Sequence, residues 1–413
     1  MITYRPQHRV IARKLKDNSV IRDMSDDVIS ISTNKAYGRM AGVFRIVLTF
    51  REIDGLRYDE ILATNDIITI ELAAGDGSDM EYVLCGLIDR VARTCHYPDG
   101  RLHRTVTICG QDFGKLLRTQ IGWDISGIRN LMEYGVGMGK IVSSYLPRVF
   151  NQRGTAAELV TWIFDIFKTQ LPDAFYPQYV GLKTITDDSW LTYYPAMAGL
   201  KGVDAWSAML SLANRPYNML TTRTEKNGKF YVILEKFPAD ENGKLVRESY
   251  HPIDEEDVVS EDIGFSDHER VNLLCVWPTL YKTFMNNVLD IALSYPELTK
   301  ISKDSIQTNG FMADIIEPNY VPLSFAIEEK EDPQNREDAS DRADLFWAWN
   351  KDNHKYESGV FVVHGRPSVR PGDGLVHLSE DKQYLVEQVG HTYSVFPQPL
   401  FVSQLQVTRG QKN

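Results

Sequence analysis

The feature that most constrains this chain is an order of strand signals that occurs twice, once toward each end. The first copy reads DIITIELA (66–73), EYVLCGLIDRVARTC (81–95) and RTVTICGQ (104–111). The second reads DGLVHLS (373–379), QYLVEQVGHTYSV (383–395) and LQVTRGQ (405–411). Each runs from an Asp-led strand through a turn to a Tyr-led long strand, then a loop and a strand ending in Gly-Gln. In this reading Tyr82 corresponds to Tyr384 and Gly110 to Gly410. Self-similar order of this kind marks a duplicated unit. It predicts an α+β, β-rich chain of two similar tube-like β-barrel domains interrupted by a mixed α/β region.

Local chemistry fills in the plan. VFRIVLTF (43–50) and GVFVVHG (359–365) are β-branched runs that add a strand to each copy. Asp54-Gly55, Asp76-Gly77 and Asp99-Gly100 place a glycine able to adopt positive φ after a turn-capping side chain. SQLQVTRG (403–410) alternates, with Leu405 and Val407 facing away from Gln404, Gln406 and Thr408. From about residue 125 the period changes. Thr155 and Glu158 form a capping box, and Leu159, Trp162, Ile163, Ile166 and Phe167 fall on one helical face. A second helix starts at Asp204, burying Trp206, Met209, Leu210 and Ala213 before Pro216 stops it. KFYVILEKF (229–237) follows as a strand, RVNLLCVWP (270–278) as another. The acidic segment 332–350 is a helix with Asp332 as N-cap and Pro333 at its first position. The predicted organisation is a first barrel over 1–124, a mixed α/β insertion over 125–265, and a second barrel over 266–413 with an inserted helix around 332–350.

Composition narrows the function. Forty-five basic against fifty-six acidic residues give a formal charge of -11, the wrong sign for a surface that grips nucleic-acid backbones. The opening residues carry positive charge without an apolar run behind them, and no stretch is apolar enough to span a membrane. The four cysteines, Cys85, Cys95, Cys109 and Cys275, make no CxxC pair and fit synthesis in a reducing cytosol. Cys95, His96, His103 and Cys109 cluster around a hairpin loop, but their spacing is irregular for zinc. EYGVGMGKI (133–141) has glycines before a lysine, yet the spacing and the residue after Lys140 differ from a phosphate loop. No nucleophile elbow, metal-protease helix or calcium loop is present. The acidic stretch DEEDVVSEDIGFSD (254–267) reads as a solvated loop. No catalytic residue, metal site or cofactor is expected.

VVHGRPSVRPGDGLVHL (362–378) concentrates histidine, arginine and glycine, the residues of an active-site loop. The bland reading is better. Gly365, Pro367 and Pro371 suit corners, and Gly372-Asp373-Gly374 is turn chemistry that launches the next strand. His364 and His377 then become ordinary strand side chains. Arg366 and Arg370 stand out as subunit contacts.

Four collinear stretches carry a resemblance. They are YGRMAGVFRIVLTF with its sequel through RTVTICGQDFGKLL; SEDIGFSDHERVNLLCVWP; DSIQTNGFMADI; and GVFVVHGRPSVRPGDGLVHL with QYLVEQVGHTY and LQVTRG. Their order resembles that of the baseplate hub proteins of contractile-tailed phages and related injection systems, the late-control and tail hub family, similar to the first part of type VI secretion spikes. Residues 125–200 match no part of that pattern.

The resemblance implies a virion structural protein of the tail baseplate, not an enzyme. It implies a homotrimer whose ring of six barrels joins a three-fold central spike to the six-fold tail tube, with the puncturing tip on a separate chain. Implied partners are the spike protein, the tube or tube-initiating protein, the tape measure protein and other baseplate proteins, with DNA passing through the lumen unbound. The acidic balance suits a lumen that repels DNA. A tail-associated cell-wall hydrolase and a glycan- or receptor-binding tail component are the alternatives.

Overall fold

The computed structural model describes residues 5–53, 55–75, 78–96, 103–118, 155–169, 171, 178–186, 204–276, 298–316, 333–396 and 398–412. The predicted glycine loop at 133–141 and Asp332 lie outside them.

The first half contributes β1 (Gln7–Arg13), β2 (Val20–Asp23), β3 (Val28–Ala36), β4 (Val43–Thr49), the two-residue β5 (Glu52–Ile53) and β6 (Leu56–Arg57), the single turn α1 (Tyr58–Ile61), β7 (Ile67–Ala73), β8 (Glu81–His96) and β9 (His103–Asp112). Its main strands pair in the order β3-β4-β9-β8-β7-β1-β2. β7, IITIELA, is buried along its whole length because it is covered on both faces. Ile68, Ile70 and Leu72 enter one apolar core and Ile67 another.

That other core belongs to the middle of the chain, with α2 (Ala156–Thr169), β10 (Val180–Ile185), α3 (Ala205–Leu212), β11 (Asn218–Thr224) and β12 (Phe230–Lys236). The Thr155–Glu158 capping box closes with two 3.2 Å bonds, and Asp204 caps α3 through a 2.7 Å bond from the Ser207 amide. Leu159, Ile163 and Phe167 of α2 pack on Met209 of α3 and Phe230 of β12.

The second half begins with β13 (Tyr250–Ile253) and β14 (Val258–Phe265). Then comes a small unit of β15 (Leu273–Val276), β16 (Thr299–Ile301), α4 (Lys303–Asn309), β17 (Ala313–Ile316) and α5 (Pro333–Asn350). Arg342 of α5 is buried there and donates to Asn214 Oδ1 at 2.6 Å, tying the helix to the middle region. Finally β18 (Glu357–His364), β19 (Gly374–His377), β20 (Lys382–Ser394) and β21 (Leu400–Lys412) build the second β-layer. Residues 362–378 turn the corner from β18 into β19, and His377 stacks on Phe361 with ring centroids 5.7 Å apart.

The fold is β-rich, with large antiparallel sheets, none of which closes into a barrel among the described residues. The expected pair of barrels is met by one 13-stranded sheet shared between the halves. β20 is the reason. Its first residues, Lys382–Leu385, pair with β19, and the remainder, Gln388–Ser394, pairs with β3 of the first half.

The halves repeat each other in pairing order. β3-β4-β9-β8-β7 of the first corresponds to β14-β18-β21-β20-β19 of the second, with β19 joined to β20 on a side branch. Backbone hydrogen bonds fix the register. The Asn65 amide reaches Ile88 O at 2.8 Å and the Ile88 amide Asp66 O at 3.0 Å. In the second half the Gly372 amide reaches Val386 O at 2.7 Å and the Val386 amide Asp373 O at 3.0 Å. Asn65 and Gly372 both have positive φ, 67° and 91°, a conformation that Asn and Gly tolerate best. Ile88 is therefore equivalent to Val386, a different register from the Tyr82–Tyr384 and Gly110–Gly410 matches of the sequence. Those matches fall beside turns and bulges of unequal length, where letters and ladder positions drift apart.

One sequence expectation is overturned. The acidic stretch 254–267 is not a loop: a 3₁₀ turn at Glu255–Asp257 leads directly into β14. Its burial is low because β14 is the last strand of the sheet path, so few of its side chains have anything to pack against.

Candidate functional site

Over β3, β4, β18, β20 and β21 the large sheet has one packed face and one open face. Ile31, Ile46, Ile108 and Phe401 point into the first core, and Phe361, Val389, Leu405 and Val407 into the second. Alternation sends their neighbours to the other side. There Ser32, Asn34, Thr392, Gln404 and Gln406 are exposed, and Ser32 is paired with Thr392 across the β3–β20 joint. The face therefore runs unbroken from one half to the other. It is lined chiefly by hydroxyls and amides, with Arg45 and Asp262 among its few charges. The face as a whole carries few charges.

The sheet also has open edges. β14 has β18 on one side and no strand on the other among the described residues. Val259 and Phe265 on it are 52% and 66% exposed. The second open edge is less obvious. β8 pairs with β9 along most of its length, but with β7 only up to Leu87, so beyond Asp89 one side of β8 is unpaired among the described residues. Unpaired strand edges are templates for adding another strand.

Beside the joint, a largely buried ion pair ties β3 to the end of β9. Lys35 of β3 donates to Asp112 Oδ2 at 2.7 Å, and the same carboxylate accepts the Gly42 and Gly114 amides at 2.9 Å. Lys35 also donates to Thr222 of β11, locking the middle region to the same point. Burial pushes the Lys35 ammonium down, while Asp112 opposes that shift. Breaking such a pair leaves one charge buried alone, which makes it a strong local lock.

Arg366 and Arg370 occupy different surroundings. Arg370 is buried inside the chain, donating to Tyr82 O at 2.8 Å and Thr224 O at 3.3 Å, so it braces the first half, the middle region and the corner loop together. Arg366 is about one-third exposed and pairs with Asp257 at 2.6 Å, immediately before β14. The residues that the sequence reading missed are those of β14 and the distal part of β8. Val258, Val259, Ile263 and Phe265 were the available signal, masked by six acidic neighbours between 254 and 262 that made the segment look like loop.

Among the described residues no group of three His, Cys, Asp or Glu side chains is placed to hold a metal. Cys95 lies opposite Arg104 and Cys109 opposite Arg90, well apart on the β8–β9 ladder. A cleft of about 380 Å³ between the three-stranded sheet and the corner loop is lined by Arg223, Glu235, Arg247 and Asp373. These charges pair with one another, Arg247 with Glu235 at 3.5 Å and Arg223 with Asp373 at 3.6 Å. No helix among the described residues is long and apolar enough to cross a membrane.

No protein-family model matches the chain, and no curated protein matches it in sequence. Solved structures do match its fold. One is the 43 kDa tail protein of prophage MuSo2 from Shewanella oneidensis, 13% identical, with a TM-score of 0.56 over 98% of each chain. Another is a tail protein from Neisseria meningitidis MC58, 10% identical, with a TM-score of 0.51 over 97% of this chain and 96% of that one. The chain thus has a fold found in phage tail proteins.

Proposed function

We propose that this chain is a structural protein of a phage tail or tail-like particle, and within it a baseplate hub that rings the tail axis. The observation that carries the reading is the internal repeat: two copies of one strand order share a sheet with a continuous polar face and open edges. A chain with two equivalent units can form a trimer that presents six, which is the symmetry adaptor needed between a three-fold spike and a six-fold tube. The fold shared with two solved tail proteins over nearly the whole chain supports the same reading.

In this account each half supplies one tube-like unit. The sheets curve around the axis, and the neutral polar face lines the conduit for DNA or tape measure. The described middle region, α2, α3 and β10–β12, forms the outside buttress. β13 and β14 count with the second unit, moving its start ahead of residue 266. Arg366, beside β14, borders the contact between subunits. The spike, the tube or tube-initiating protein, the tape measure and other baseplate proteins are its neighbours, and the role is non-enzymatic. Native mass spectrometry of the purified chain tests this: a species of about three times the 47.1 kDa chain mass is expected. A monomer at every concentration contradicts it.

A further inference from the structure

The intrachain joint specifies the joint between chains. We propose that β14 of one copy adds to the sheet alongside the distal part of β8 of the next, placing Cys95 directly opposite Glu261. The proposal rests on the ring reading above and goes further by fixing which edges meet and in what register.

Three features of the strands set this register. First, Ile88 and Val386 are equivalent by their backbone bonds, and both strands carry a register shift at the next residue, between Ile88 and Arg90 and between Val386 and Gln388. Val91, Arg93 and Cys95 of β8 therefore correspond to Val389, His391 and Tyr393 of β20. Second, β3 and β14 each follow a three-residue 3₁₀ turn, Ser25–Asp27 and Glu255–Asp257. Each has a register shift after its first residue, between Val28 and Ser30 and between Val258 and Ser260. Ile31, Thr33 and Lys35 of β3 therefore correspond to Glu261, Ile263 and Phe265 of β14.

Third, within the chain, Val389 pairs with Lys35, His391 with Thr33 and Tyr393 with Ile31. Both partners of that internal joint have counterparts with an edge unpaired among the described residues. Transferring the pairing to the counterparts gives Val91 opposite Phe265, Arg93 opposite Ile263 and Cys95 opposite Glu261. The exposed Phe265 is then covered by Val91.

Charge agrees with the match. β14 brings Glu261 and Asp262, while the facing part of β8 brings Arg90 and Arg93, on a chain whose overall charge is -11. Arg93 lies diagonal to Glu261 in this register, within reach of long side chains at roughly 7–8 Å between backbones. The contact is head-to-tail, so it propagates from copy to copy and ends when the ring closes.

Cys95 is native, exposed and free, which makes the test direct. The variant Glu261→Cys is oxidised with glutathione disulfide and run without reductant. Opposite residues in an antiparallel pair are close enough for a disulfide after small adjustment. The monomer band is expected to be lost into covalent dimers and trimers. Adding Cys95→Ser should abolish the ladder. Asp262→Cys, on the same edge but the other face, should leave the monomer band in place. A trimer by mass in which Glu261→Cys does not cross-link, or in which Asp262→Cys cross-links equally, overturns the register and leaves the ring reading standing. Absence of any oligomer overturns both.

Discussion

His391 shows how far one residue of the joint is committed to the folded state. It lies in β20 opposite Thr33, with Nδ1 2.9 Å from Ser403 Oγ. Burial first, and the positive charge of Arg370 second, push its pKa from the ordinary 6.5 down to about 3. The folded chain therefore holds the ring neutral where the unfolded chain takes a proton. The sign follows: this contribution is complete above pH 6.5 and is lost progressively as pH falls toward 3. At about pH 5 the loss amounts to about 2 kcal/mol, since one pKa unit is worth about 1.4 kcal/mol. His391→Gln can still hydrogen bond to Ser403 but does not titrate. Urea melts at neutral pH and at about pH 5 should show the wild type losing about 2 kcal/mol more than the variant. Equal losses would contradict the burial argument. From sequence alone His391 was one more polar residue in a strand, because its burial comes from β3, more than three hundred residues away along the chain.

At the scale of elements, legibility follows burial. β4, β7, β9, β18 and β21 stand close to where their β-branched runs placed them, because each buries a full apolar side against a core. The capping boxes and cap residues of α2 and α3 were equally plain, being local chemistry. β3 and β14 were not. β3, VISISTNKA, carries Ser32 and Asn34 on its open face, and β14 keeps most of its side chains in water. The strands that hide from a sequence reading are thus those with an open polar face or an open edge among the described residues. A hydrogen-exchange comparison separates these equivalent strands. In dilute, unassembled chain the outward amides of β14 should exchange rapidly while those of β3, bonded to β20, stay protected. On assembly the β14 amides and those of β8 beyond Asp89 should become protected together. Protection of one without the other would count against their pairing.

For the molecule as a whole, the repeat was visible in the sequence but its register was not. Strand order survives bulges and turns of unequal length, whereas residue matches such as Tyr82 with Tyr384 do not. The shared sheet was also hidden, because nothing in the letters of β20 says that its second part pairs with β3 instead of closing its own barrel. That joint is what makes the two halves one continuous sheet. The most direct measurement of this account is an electron cryo-microscopy reconstruction of the assembled tail. The account predicts three copies around the axis, joined edge to edge, with Ser32, Thr392, Gln404 and Gln406 facing the lumen. Copies at the periphery, or a ring with that polar face turned outward, would contradict it.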